Sequence, residues 1–198
     1  MKTITFFDTE IDSQNKKVLD IGCVNNEDAQ FHSKSLNEFK SFLNGSEYIC
    51  GHNVLQHDLK YLGNGSPFFN DVDKKVIDTL YLSPLLFPTR PYHRLVKDDK
   101  IISDELNNPV NDSLKAKGLF YDEINAFNIL DESLKRILYK LLHDILEFRS
   151  FFSYLSYSCN GNVFDEIREY FKSKICSNCQ LDKIITNHPV ELAYCLAL

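Results

Sequence analysis

The segment Thr3-Ile4-Thr5-Phe6-Phe7-Asp8-Thr9-Glu10 constrains this chain most. Its β-branched and aromatic residues suit a buried, pleated strand, and the run closes on two carboxylates separated by one residue. Alternate side chains of a strand point to the same face, so Asp8 and Glu10 can project into one site. Two anions held side by side repel. A hard divalent cation that takes oxygen ligands, Mg²⁺ for instance, relieves the repulsion. The plainer alternative is a strand that ends in a polar turn, and the rest of the chain decides between them.

The length of 198 residues suits one domain, or one domain with a helical appendage. With 43% hydrophobic and 13% aromatic residues there is enough apolar material for a core. The formal net charge of -6 excludes a generally basic nucleic-acid binder, although a metal site and a local basic groove can coexist. No run of 18 apolar residues is present to span a membrane, and the N-terminus enters a strand without the pattern of a signal peptide. Cys23, Cys50, Cys159, Cys176, Cys179 and Cys195 lie in apolar or helical contexts rather than in a disulfide framework, so a cytoplasmic location is expected.

After Glu10 a polar loop leads to strands over residues 18–24 and 30–32, an antiparallel meander with a turn at Asn25-Asn26-Glu27-Asp28. Leu36, Phe39, Phe42 and Leu43 recur at helical spacing, which predicts a helix over residues 35–44 ended by Gly45-Ser46. Tyr48-Ile49-Cys50 follows as a short strand. In Gly51-His52-Asn53-Val54-Leu55-Gln56-His57-Asp58, Asn53 is expected to cap a helix whose apolar face is Leu55, Leu59 and Leu62. Val76-Ile77-Asp78 repeats the pattern, with Asp78 expected as the cap of a helix ending before Pro84. Residues 87–110 read as a long polar loop, and from Asn111 onward the pattern is helical. The order β-β-β-α-β followed by helices is that of an α+β fold. The apolar run Val190 to Leu198 stops without a cap, as expected of a segment from a longer protein.

Three acidic elements thus stand in order: Asp8-Thr9-Glu10 on a first strand, Asp58 five residues after Asn53, and Asp112 opening a later helix. This arrangement resembles the DEDD superfamily of exonucleases, the proofreading-exonuclease-like branch of the ribonuclease H fold, over about residues 1–130. Asp8 and Glu10 match its first motif, Asp58 its second and Asp112 its third. The text around Asp112, Asn-Pro-Val-Asn-Asp-Ser-Leu-Lys-Ala-Lys-Gly-Leu-Phe-Tyr-Asp-Glu, looks like exonuclease domains placed ahead of RecQ-type helicases in bacteria. The resemblance implies a central mixed sheet flanked by helices over residues 1–130 and an all-helical extension over 131–198. It also implies a two-metal 3′–5′ exonuclease with two Mg²⁺ or Mn²⁺ ions, acting on single-stranded nucleic acid, DNA before RNA, with an attached or associated helicase as partner. Asp8 would bridge both ions, Glu10 and Asp112 would support the ion carrying the attacking water, and Asp58 would support the other. Thr9, Asn53, Tyr92 and Arg94 are assigned to the substrate.

The sequence departs from the family pattern at one place. Where one branch carries a histidine as general base, five residues before the third-motif aspartate, this chain has Asn107; where the other carries a tyrosine, it has Asn108. An asparagine amide takes no proton at neutral pH. His93, in the loop that leads to Asp112, is the alternative base. The departure also raises a second reading, a catalytically silent nucleic-acid-binding module. Arg90, Tyr92, Arg94, Lys97 and Lys100 form a basic, aromatic-interleaved stretch suited to phosphates and stacked bases. Cys176, Cys179, His188 and Cys195 are a sparse set for zinc and read as buried free thiols. His57 reads as a core or rim histidine.

Overall fold

The computed structural model describes residues 2–12, 14–63, 75–95, 108–172 and 174–198. Five strands, β1 (Ile4–Ile11), β2 (Val18–Asn25), β3 (Gln30–Ser33), β4 (Tyr48–Gly51) and β5 (Lys75–Asp78), form one sheet in the order β3-β2-β1-β4-β5. The β1-β2-β3 side is an antiparallel meander, whereas β4 and β5 run parallel to β1. Strands that return in parallel need a crossover, and α1 (Leu36–Phe42) and α2 (Asp58–Gly63) lie within those two connections. The fold is α+β, a five-stranded mixed sheet flanked by helices.

The alternation along β1 divides the core. Ile4 and Phe6 pack with Val24, Tyr48, Cys50 and Ile77 against one group of helices; Phe7 packs with Ile21, Cys23 and Ile49 against Phe39 and Leu62 on the other face. The first face carries α3 (Thr79–Leu86), α4 (Pro109–Ile129), α5 (Glu132–Leu142), α6 (Leu146–Leu155), α7 (Val163–Tyr170), α8 (Leu181–Asn187) and α9 (Pro189–Ala197). A single apolar cluster therefore runs from Ile4 in the sheet through Phe120 and Phe127 of α4 to Phe148, Phe151, Ile167 and Ala193. Burying an aromatic or branched side chain of this kind stabilises a fold by about 1.5–3 kcal/mol.

Three local expectations differ from the structure. The helix after β4 begins at Asp58, not after Asn53, so Leu55 precedes it and does not join Leu59 and Leu62. Asn53 instead adopts a left-handed backbone, φ 66°, which a short polar side chain tolerates, and it makes a tight turn at the strand's end. The helix α3 runs through Pro84 to Leu86. Proline there forfeits one bond to the preceding turn, and burial of Leu82, Leu85 and Leu86 holds the helix together across it. Asp78 caps α3 as expected, accepting from Leu80 N at 3.0 Å. Cys176, Cys179 and Cys195 are free thiols as expected, but Cys176 and Cys195 are exposed rather than buried. None of the described helices is long and apolar enough to cross a membrane.

Candidate metal centre

Register explains how the first two acids meet the third. Strand β4 pairs with β1 only from Ile4 to Phe6, then turns away after Gly51. The C-terminal half of β1, which carries Asp8 and Glu10, keeps β2 on one side, and on the other its edge meets Asp58 of α2 through Thr9. A bulge between Glu10 and Ile11 then ends the regular ladder beside the acids.

Asp8 lies opposite Gly22 on β2. That glycine is required by packing: a Cβ there would sit 2.1 Å from Val110 N and 2.2 Å from the Pro109 carbonyl carbon. The first turn of α4 thus rests directly on the backbone of β2. Asn108 caps the helix through Val110 N at 3.0 Å, Pro109 occupies its first turn, and the Ser113 hydroxyl donates to the Gly22 carbonyl at 2.8 Å. This docking delivers Asp112. Carboxylate oxygens of Asp8, Glu10 and Asp112 lie within 4.8 Å of one another, the only such group of possible metal ligands among the described residues. Three half-buried carboxylates form a hard oxygen donor set of the kind that suits Mg²⁺ or Mn²⁺. They can hold a metal ion. Lys115 Nζ approaches Asp112 at 3.7 Å from one turn further along α4.

Asp58 takes a different place. It lies on the opposite face, 2% exposed, and its Oδ1 accepts from both Thr9 N at 2.9 Å and Thr9 Oγ1 at 2.6 Å. Thr9 N sits on the edge of β1 that β4 leaves unpaired, so the carboxylate stands in for the missing strand. Burial pushes the Asp58 carboxyl above the usual range, while the Thr9 hydroxyl and the nearby His57 pull it back. His57 Nδ1 is 3.7 Å from Asp58 Oδ2, and its ring is exposed at the rim beside Tyr61. Thr9, between the two acids, is 5% exposed and gives both its donors to Asp58.

The remaining candidates are dispersed. His93 is half-buried against α3, its Nδ1 3.0 Å from Ser83 Oγ, and it is not part of the acid group. Tyr92 is 82% exposed and Arg94 is exposed; Arg90 stacks its guanidinium 3.7 Å over the Phe87 ring. Lys97, Lys100 and Asn107 lie outside the described residues. Asn53 donates its backbone N–H to Asp78 Oδ1 at 2.7 Å, and Leu55 N donates to Oδ2 at 3.0 Å, so Asp78 ties the β4 turn to α3. Cys176, Cys179, His188 and Cys195 form no metal-ligand group; the carbonyls of Cys176 and Cys179 accept from Arg168 at 2.9 and 3.0 Å.

Two buried groups escaped the sequence reading. Both Glu123 oxygens and Nε2 of His52 are buried without a hydrogen-bond partner among the described residues. Glu123 falls on the α4 face with Phe120 and Phe127, and a carboxyl amid apolar helical spacing is the signal that could have found it. No family model, curated protein or solved structure matches the chain.

Proposed function

We propose that the chain is a metal-dependent 3′–5′ exonuclease of the DEDD superfamily, built on a ribonuclease H-like fold and acting on single-stranded DNA before RNA. The convergence of Asp8 and Glu10 from β1 with Asp112 from α4 carries this reading. A polar turn at a strand's end would not draw a third acid from a helix 100 residues downstream; the glycine contact at Gly22 and the capped first turn of α4 do so here. The four acids fall in the order of the family's motifs, and the mixed sheet has the arrangement such a fold needs.

In this reading Asp8, Glu10 and Asp112 hold the divalent ions, and Asp58 braces the backbone between Asp8 and Glu10 through Thr9. Bound ions would acidify the attacking water and neutralise the scissile phosphate, which a protein of net charge -6 otherwise repels. The carboxylates converge on one place. Tyr92 and Arg94, exposed at the protein surface, supply a stacking ring and a cation for the single strand. An associated helicase would supply the unwound end. Asn107, at the position of the usual base, favours the second reading of a silent binding module.

The deciding experiment incubates 5′-labelled single-stranded DNA and RNA with the protein and Mg²⁺ or Mn²⁺, beside Asp8→Ala. A ladder that shortens from the 3′ end and is lost by at least a hundredfold in the variant is expected, as for removal of a metal-holding carboxylate (~10²-fold or more). Binding without cleavage under either metal would establish the silent module instead.

A further inference from the structure

Cys176-Ser177-Asn178-Cys179 forms the turn that leads from α7 into α8. Its two cysteines bracket one hydrogen bond, from Cys179 N to the Cys176 carbonyl at 3.1 Å. Neither Ser177 nor Asn178 has a positive φ, which leaves the common type I geometry for a turn closed by this bond. The Cα atoms at the ends of a β-turn lie within about 7 Å of each other, and a disulfide needs about 4.4–6.8 Å. Such a path is one turn of a 3₁₀-helix, in which residues three apart stand on the same side.

Arg168, in the last turn of α7, fixes this turn from outside. Its Nη1 donates to the Cys176 carbonyl at 2.9 Å and its Nη2 to the Cys179 carbonyl at 3.0 Å. The guanidinium is itself held 5.4 Å over the ring of Phe164, one turn back on α7. A planar fork on both carbonyls sets the spacing of the two cysteines. Both are free thiols, Cys176 exposed and Cys179 half-buried against the apolar cluster. Among the described residues neither joins a group of three metal ligands, whereas a structural zinc ion takes four. Two thiols held alone suit two-electron exchange.

We propose that Cys176 and Cys179 are a redox-modification site, a vicinal dithiol that closes to an intramolecular disulfide when it meets a small-molecule disulfide of the glutathione type. Exposure sets the order of attack. Cys176 loses its proton and attacks one sulfur of the oxidant; a mixed disulfide forms, and the other half leaves as a thiol carrying that proton. Cys179 then loses its proton and attacks Cys176 Sγ, and the second half leaves as a thiol in the same way. Two protein thiols are oxidised and one disulfide is reduced to two thiols. A free chain must order Ser177 and Asn178 before this ring can close, and here the turn and Arg168 have already ordered them. The site stands independently of the exonuclease reading.

The test holds the full chain at one fixed ratio of reduced to oxidised glutathione, beside a synthetic peptide of residues 175–183 that carries the dithiol without Arg168. Acid quenching, digestion with trypsin and mass spectrometry then read the fragment of residues 175–183. The ratio of disulfide to dithiol is expected to be about tenfold higher in the chain than in the peptide, on the order of the ordering entropy of one residue. Arg168→Met, folded by circular dichroism, is expected to fall toward the peptide's value, and Cys179→Ser to stop at the mixed disulfide on Cys176. If Arg168→Met does not fold, the comparison of wild type with peptide carries the test. A ratio in the chain no higher than in the peptide, a mixed disulfide that persists on Cys176 of the wild type, or a bridge from either cysteine to Cys195 overturns the proposal.

Discussion

Glu123 is a carboxyl in the wrong place for a water-soluble charge, and its chemistry is fixed by that. It is fully buried on α4, and neither oxygen has a hydrogen-bond partner among the described residues. Burial pushes its proton affinity far above that of an ordinary glutamate; the charge of Asp78 adds to this and Arg90 opposes it. The folded state holds the proton while the unfolded chain releases it above its own pKa of about 4.3, so stability is greatest below that pH and falls as pH rises toward the folded value. Glu123→Gln keeps the shape and removes the titration. Urea unfolding at several pH values above about 5 should show the variant gaining on the wild type by about 1.4 kcal/mol per pH unit. Parallel profiles would mean that Glu123 titrates alike in both states. At this scale the sequence was legible where side-chain direction follows from period alone, as at Asp8 and Glu10. It was illegible at Asp58, whose carboxylate is claimed by an edge amide that β4 leaves behind, and at His52, whose Nδ1 bonds a threonine 27 residues away.

Between elements, the contact that decides the site is α4 on β2. The strands were readable from hydrophobic pattern, the start of α2 and the end of α3 were not, and Asp112 was placed in a first helical turn, yet no pattern announces that Gly22 must be bare. Tertiary approach alone imposes that. Gly22→Ala would drive a methyl into the backbone at Val110 N and the Pro109 carbonyl carbon, neither of which can rotate aside. Overpacking of this kind costs about 1–3 kcal/mol, and more where backbone must move. The helix should shift away and carry Asp112 out of reach of Asp8 and Glu10. The expected outcome is a lower melting temperature together with loss of the stabilisation that Mn²⁺ is expected to give the wild type. A variant with a normal response to Mn²⁺ would show that α4 docks elsewhere. Pro84 teaches the complementary lesson: a residue that normally ends helices is overridden when burial on both sides of it outweighs one lost hydrogen bond.

Across the whole molecule, the division at residue 130 that the resemblance implies meets a continuous apolar cluster. Phe151 of α6 contacts the rings of Phe120 and Phe127 on α4 at centroid distances of 6.4 and 5.6 Å, and Phe120 contacts Phe6 of β1 at 5.6 Å. The polar seam runs the same way. Lys2 donates to the carbonyls of Ser153 and Tyr154 and to the Ser156 hydroxyl, satisfying the C-terminal end of α6 from the start of the chain. Tyr48 on β4 bonds Ser153, and Tyr194 on α9 bonds the Tyr81 carbonyl on α3. Helices that share an apolar cluster and hydrogen bonds with the sheet are expected to unfold with it. The chain should therefore unfold in one calorimetric transition. Phe151→Ala, though it lies in the helical part, should lower that single transition by about 3–5 kcal/mol, on the order of 10 °C for a chain of this size. The acid centre should lose its Mn²⁺ response at the same temperature as the helical signal. Two resolved peaks, only one of them moved by Phe151→Ala and the other still sensitive to Mn²⁺, would show two units that fold apart.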